Sequence, residues 1–149
     1  MGNSFSIDID IARFNDQLDK EYQGIVAEMD AEFQAAVVNI EKAAVLAAPV
    51  GNKMKRTERA NGPTAGGLRS SIQAKKIDQL NYEVVTPLKY APYVEFGTGS
   101  NVNIPAGFES LAQQFFVSGK GRNRAQPFLI PAFIFETEQL LKRLEAIKW

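Results

Sequence analysis

A chain of 149 residues with 45% hydrophobic and 23% charged side chains has the make-up of one ordinary globular domain rather than of a disordered tail. Its 17 basic and 17 acidic residues cancel, so no global field draws it to nucleic acid or to an anionic membrane, and copies of it repel one another little. It contains neither cysteine nor histidine, which excludes disulfides, thiol nucleophiles, zinc fingers and histidine-based triads.

The N-terminal Met1 to Ser6 carries no basic stretch followed by an apolar one, and no apolar run approaches the ~20 residues of a membrane span. The expectation is a soluble, intracellular protein. Phe5, Ile7, Ile9 and Ile11 alternate with polar residues, the period of a short half-buried strand. Phe14, Leu18, Ile25, Met29, Phe33, Val37, Ile40 and Ala44 then fall at helical spacings. They predict a long helix from near Asp10 or Asn15 to about Ala48, stopped by Pro49 and weakest at Gly24. Its stripe reads first as core packing and second as a subunit contact.

Residues 51–67 are rich in glycine, proline and basic side chains and read as a loop. Leu68, Ser70, Ile72 and Ala74 alternate with Arg69, Ser71, Gln73 and Lys75, predicting a strand; a turn through Asp78 to Asn81 leads to a second, Tyr82 to Leu88. Tyr90 to Gly97 predicts one helical turn, with Pro92 at its start, Gly97 past its end, and Tyr93 and Phe96 as anchors. Residues 99–125 are too long for a plain connection and read as an insertion, within which Phe108, Leu111, Ala112 and Phe115 have helical spacing. A last helix starts at Pro127–Pro131. Phe128 and Phe133 are its expected core anchors, with Ile134, Leu140, Leu141, Leu144 and Ile147 also inward. The fold class is α+β: a long N-terminal helix and a C-terminal helix packed on a small antiparallel sheet, with two long loops.

Charge is segregated along this order. Residues 1–50 hold nine acidic against three basic side chains, a net of −6, and residues 51–76 seven basic against one acidic, a net of +6. Opposite patches on a neutral subunit suit head-to-tail association. Lys53, Lys55, Arg56 and Arg59 in the first loop, and Lys120, Arg122 and Arg124 in the second, are candidates to face a neighbouring subunit or DNA; Phe108 and Phe115 are candidate apolar contacts. Glu28, Asp30 and Glu32 are the acidic residues such a basic loop would meet on the next copy.

Motifs for chemistry fail one by one. Ser118-Gly119-Lys120-Gly121 lacks the upstream glycine and the hydroxyl residue of a phosphate-binding loop. Gly97-Thr98-Gly99-Ser100 has no histidine to activate its serine. Asp8 and Asp10, or Asp16 and Asp19, lack the surroundings that separate two carboxylate pKa values, and Ala12 and Arg13 spoil a calcium loop. No catalytic residue, metal ligand or cofactor site is assigned. The basic clusters are not interleaved with aromatic residues, which leaves non-specific DNA contact as the alternative function.

Four blocks in order carry a resemblance. Ala47-Ala48-Pro49-Val50, Gly66-Gly67-Leu68-Arg69-Ser70-Ser71-Ile72, Tyr90 to Thr98 (YAPYVEFGT) and Gln126 to Phe133 (QPFLIPAF) resemble the small tail-component proteins of siphophages. The loop from Val50 to Leu68 is longer and more basic than the family pattern, and Ser100 to Ala125 is an insertion in it. The resemblance implies one tail-completion or neck-type domain over residues 1–149, without enzymatic activity. It implies a homo-oligomeric ring, expected to be a hexamer, at the head–tail junction. The partners would be further copies of itself and the neighbouring neck and tail-tube proteins, with no membrane. The location would be the virion, after assembly in the host cytoplasm.

Overall fold

A computed structural model describes residues 11–50, 67–115 and 120–148. The expected strand at residues 5–11 and the basic residues Lys53 to Arg59 fall outside them, except Ile11, which is helical. The first element, α1 (Ile11–Ala47), is one unbroken helix of 37 residues, about 55 Å at 1.5 Å per residue. Gly24 lies in it without a break. The remaining elements are α2 (Gly67–Ser71), β1 (Gln73–Asp78), β2 (Asn81–Val85), α3 (Ala91–Phe96), a 3-10 turn (Gly99–Asn101), α4 (Glu109–Gln113) and α5 (Ile130–Glu145). The order is α+β: the two long helices pack together, and the antiparallel hairpin β1–β2 lies against α1.

The apolar stripe of α1 changes partners along its length. Ala36, Ile40, Ala44 and Ala48 are buried, whereas every residue from 11 to 24 is exposed, Phe14 at 59% and Tyr22 at 62%. Only the C-terminal part of this helix therefore builds the core. There Ala44 and Ala48 pack with Leu68, Ile72, Ala91 and Phe128. The carbonyls that end α1 have no basic residue of their own last turn to meet. Arg69 supplies the contact, donating from Nε to Ala48 O at 2.7 Å and from Nη2 to Leu46 O at 3.2 Å.

The strand expected from Leu68 to Lys75 is corrected at its start. Residues 67–71 form α2, and the strand begins at Gln73. Leu68 and Ile72, 4% and 3% exposed, are four apart as well as an even number apart, so they share a face in either conformation. β2 is shorter than expected, because the chain leaves the ladder before Pro87, which has no N–H to donate. The hairpin turns through Leu80 at φ +58°, an unfavourable conformation for a side chain of its type. Asp30 of α1 holds it there: its carboxylate accepts the Leu80 N–H at 2.9 Å and pairs with the Lys76 ammonium. Its backbone carbonyl accepts the Tyr82 hydroxyl at 3.3 Å.

The α1–α5 contact is polar as well as apolar. Arg143 bridges Glu32 at 2.6 Å and the buried Glu136 at 2.8 Å, and Asn39 donates to Glu136 at 3.2 Å. The Glu136 carboxylate, then that of Glu32, holds the Arg143 guanidinium above its already high pKa. Asp30 and Glu32 are thus engaged inside the subunit, with Lys76 and Arg143. Among the acidic residues named for contact with a neighbour's basic loop, Glu28 is exposed.

The anchors of α5 are corrected too. Phe128 is 2% exposed, but Phe133 is 47%, Ile134 41% and Leu141 55% exposed. On the helical wheel Phe133 lies between the buried Ile130 and Glu136, so its phase is inward. It is uncovered because β2 and α5 stand apart there, leaving an open cleft lined by Val37, Ile40, Tyr82 and Phe133. Its main aromatic contact is edge-on, with Phe108 at 6.4 Å between ring centroids.

Two outcomes follow for stability. Phe128→Ala should lower unfolding free energy by about 3–5 kcal/mol, and Phe133→Ala by less than half of that, both read from thermal or denaturant unfolding. Equal losses would mean that the cleft is closed in the free subunit. The Lys76 ammonium, then the Leu80 N–H, lowers the Asp30 pKa below its ordinary value of 3.8. A carboxyl depressed by folding contributes stability that is complete above its unfolded value and is lost as pH falls through its folded one. Asp30→Asn should therefore weaken the fold at neutral pH and flatten the acid limb of a stability–pH curve below about pH 4.

Candidate functional site

The elements after the hairpin are organised by a carboxylate that the sequence reading passed over as part of a motif. In α3, proline in the first turn sets the helix and Gly97 ends it, with Ala91 and Phe96 buried. Glu95, also buried at 5% exposure, points to the start of α5. Its Oε2 accepts the N–H groups of Phe128 and Leu129, both at 2.9 Å, and its Oε1 accepts that of Ile130 at 3.0 Å. These donors stand where a helix beginning at Ile130 leaves N–H groups without intrahelical partners, and Pro131 has none to offer. Leu129, at the N-cap, provides no side-chain cap. The cap comes instead from 33 to 35 residues earlier in the chain, as an anion at the positive end of the helix.

The chain between α3 and α5 leaves and returns at this clamp. Gln126 N–H donates to Val94 O at 2.8 Å, Thr98 N–H to Asn123 O at 2.9 Å, and Asn123 N–H to Thr98 Oγ1 at 2.9 Å. Asn101 Nδ2 reaches Arg122 O at 3.0 Å. Gly97 is required at this crossing: it sits at φ +80°, and a Cβ there would collide with the Asn101 carbonyl oxygen and the Ala125 amide nitrogen. Within the segment, Val102, Ile104, Phe108 and Ala112 pack on Phe96 and Ile130 as a second core. The stretch read from sequence as an inserted loop is thus pinned at its base and packed along much of its described length.

The other candidates are dispersed. Pro92 and Tyr93 are half-buried in α3, while Pro127 and Pro131 are exposed at the start of α5. Phe108 is half-buried in the second core, and Phe115 is 40% exposed. Lys120, Arg122 and Arg124 are all exposed. Asp16 and Asp19 are exposed on α1. Among the described residues, no group of three or more acidic side chains is placed to hold a metal ion, and no helix is long and apolar enough to cross a membrane.

Among the described residues, an apolar trough of three connected lobes runs along β2, of about 350, 300 and 520 Å³. The first two share Val37, Ile40, Tyr82 and Phe133; the second and third share Val84, Leu111, Leu129 and Ile130.

An exposed apolar surface of this extent is suited to contact with another chain. Residues 12–97 match the model of the HK97-gp10-like family, described as "Bacteriophage HK97-gp10, putative tail-component". The chain belongs to this family. No curated protein and no solved structure matches it. The match runs from the first turn of α1 through Gly97. Within it, the first three blocks of the resemblance have physical tasks in this tail component. Ala48 closes α1 into the core, Leu68 and Arg69 fill and cap its end, and Glu95 with Gly97 holds α5 and the returning chain.

Removing the carboxylate should expose its role. Glu95→Ala leaves three buried N–H groups without an acceptor and should cost at least about 3 kcal/mol. Glu95→Gln, which keeps a carbonyl oxygen but not the charge, should cost less. Hydrogen exchange at Phe128 to Ile130 should quicken in both variants. Unchanged exchange in Glu95→Ala would show that another group caps α5.

Proposed function

We propose that this chain is a structural, non-enzymatic subunit of a long-tailed phage virion, forming a closed ring, six-fold in our reading, at the head–tail junction. The observation that carries the proposal is the family match over α1 to α3, the elements that contain the α1 cap and the Glu95 clamp. Two physical features support it. The subunit leaves an apolar trough and an apolar helical stripe uncovered, and exposed patches of this extent mark contact surfaces. Charge is also segregated, acidic in α1 and basic in residues 51–76 and 118–149, which favours a different face on each side of the contact.

In such a ring Lys53, Lys55, Arg56 and Arg59 face acidic residues of the adjacent copy that are not already paired at home, Glu28 among them. Individual rim pairs contribute only ~0–1 kcal/mol, so apolar side chains, Phe115 included, carry more of the contact. Neck and tail-tube proteins are the neighbours above and below. Copies fold in the host cytoplasm and end in the virion.

Exposed Lys120, Arg122 and Arg124 support a second reading, non-specific contact with viral DNA. One pair of measurements separates the two. Electron microscopy of the purified protein should show rings, and DNA binding at physiological salt should be weak and should vanish as salt rises. Tight DNA binding by a particle that forms no ring would reverse the order of the readings. Reversing Lys53, Lys55, Arg56 and Arg59 together to Glu should leave the subunit folded and block joining of heads to tails. Normal particle yield would remove the charged contact.

A further inference from the structure

The first fourteen described residues of α1 form an arm. Residues 11–24 are all exposed and extend the helix about 21 Å beyond the first covered position, Ile25. Along this arm Ile11, Phe14, Leu18 and Tyr22 are 66%, 59%, 48% and 62% exposed. They follow one another at intervals of three, four and four residues and so make one stripe. It is the same stripe that further along is buried at Ile40 and Ala44.

The arm cannot fold back onto its own subunit. It is continuous with the part of α1 that carries Val37 and Ile40 into the trough wall, and no break in the helix lets it turn. A second copy meets the requirements for an occupant of the trough. An amphipathic helix docks in an apolar groove through anchors at these spacings. The lengths agree: Ile11 to Tyr22 spans about 17 Å of helix, and the chain that borders the trough from Tyr82 to Leu88 spans about 20 Å. The arm itself carries Asp16, Asp19 and Glu21 against Arg13 and Lys20, a net of −1, so its apolar stripe rather than its charge selects the trough.

We infer that the α1 arm of one copy lies in the trough of the next, with Phe14 and Leu18 seated beside Leu111 and Phe133. This contact rests on the ring reading above and specifies its joint. It is head-to-tail by construction, since arm and trough are different faces of one subunit. The open cleft beside Phe133 is then filled only on assembly.

The chain has no cysteine, so single-cysteine variants report contacts cleanly. Leu18→Cys and Leu111→Cys, purified separately, mixed and treated with a short bis-maleimide, should give the 18–111 product in excess over both homodimers. A dominant 18–18 product would mean that arms pair with arms, and absence of an 18–111 product would remove the contact; either overturns the inference. Phe14→Ser with Leu18→Ser should keep the helical circular dichroism signal, because both side chains are exposed in the subunit. Its association in sedimentation velocity should weaken about a hundredfold or more, and association at wild-type strength would also overturn the inference. Electron microscopy of the same samples separates the two claims. Closed rings without the 18–111 product remove the arm contact and leave the ring, whereas the product in open chains keeps the contact and removes the ring.

Discussion

The three hydrogen bonds from the start of α5 to the Glu95 carboxylate are the contact on which the C-terminal part of this protein depends. Through them a helix that packs on α1 is tied to α3, the short helix that follows the hairpin in the chain. The same junction closes the segment between them, because Gln126 and Asn123 return to Val94 and Thr98 within a few residues of the carboxylate. It also joins the two cores. Phe128 enters the first and Ile130 the second, and both donate their N–H groups to the same side chain. A buried carboxylate is costly unless its oxygens are satisfied. Here backbone donors that would otherwise be orphaned satisfy them, so each group resolves the other's deficit.

The subunit is closed at this clamp and open elsewhere. Polar groups that the fold buries are paired: among the described residues, every fully buried side-chain nitrogen or oxygen has a partner. Apolar groups are treated differently, with a trough along β2 and a bare stripe on the first turns of α1. A free-standing domain would gain by closing that cleft over Phe133. A ring subunit has reason to keep it open, since the area withheld from its own core is available to a neighbour. The position of Asp30 fits this division. Its carboxylate is spent on the hairpin, where it stabilises a left-handed Leu80, and the acidic residues nearer the arm remain outward.

Elements with a strong period were legible in the sequence. α1, the hairpin, the single turn of α3 and α5 each have either sustained apolar spacing or proline and glycine at their ends. The clamp was not legible as a clamp, although its residues lay inside two of the blocks that carried the family resemblance. A lone glutamate between Val94 and Phe96 shows its purpose only when the N–H groups it meets, 33 to 35 residues away, are in place. α2 was misread because Leu68 and Ile72 satisfy both the strand and the helix period. Phe133 was misread because helical phase says which way a side chain points, not whether anything stands opposite. Within residues 99–125 the helical spacing from Phe108 marked α4, but the packing of Val102 and Ile104 on Phe96 has no period to announce it.

The central claim is that this chain is a part of the phage neck. The most direct measurement is a cryo-electron microscopy map of the neck of virions assembled with it, at a resolution that shows helices. The account predicts a ring at the head–tail junction into which the subunit fits as a body, its 37-residue helix α1 reaching an adjacent copy. A neck in which no density accommodates that helix together with the α3–α5 clamp would contradict it.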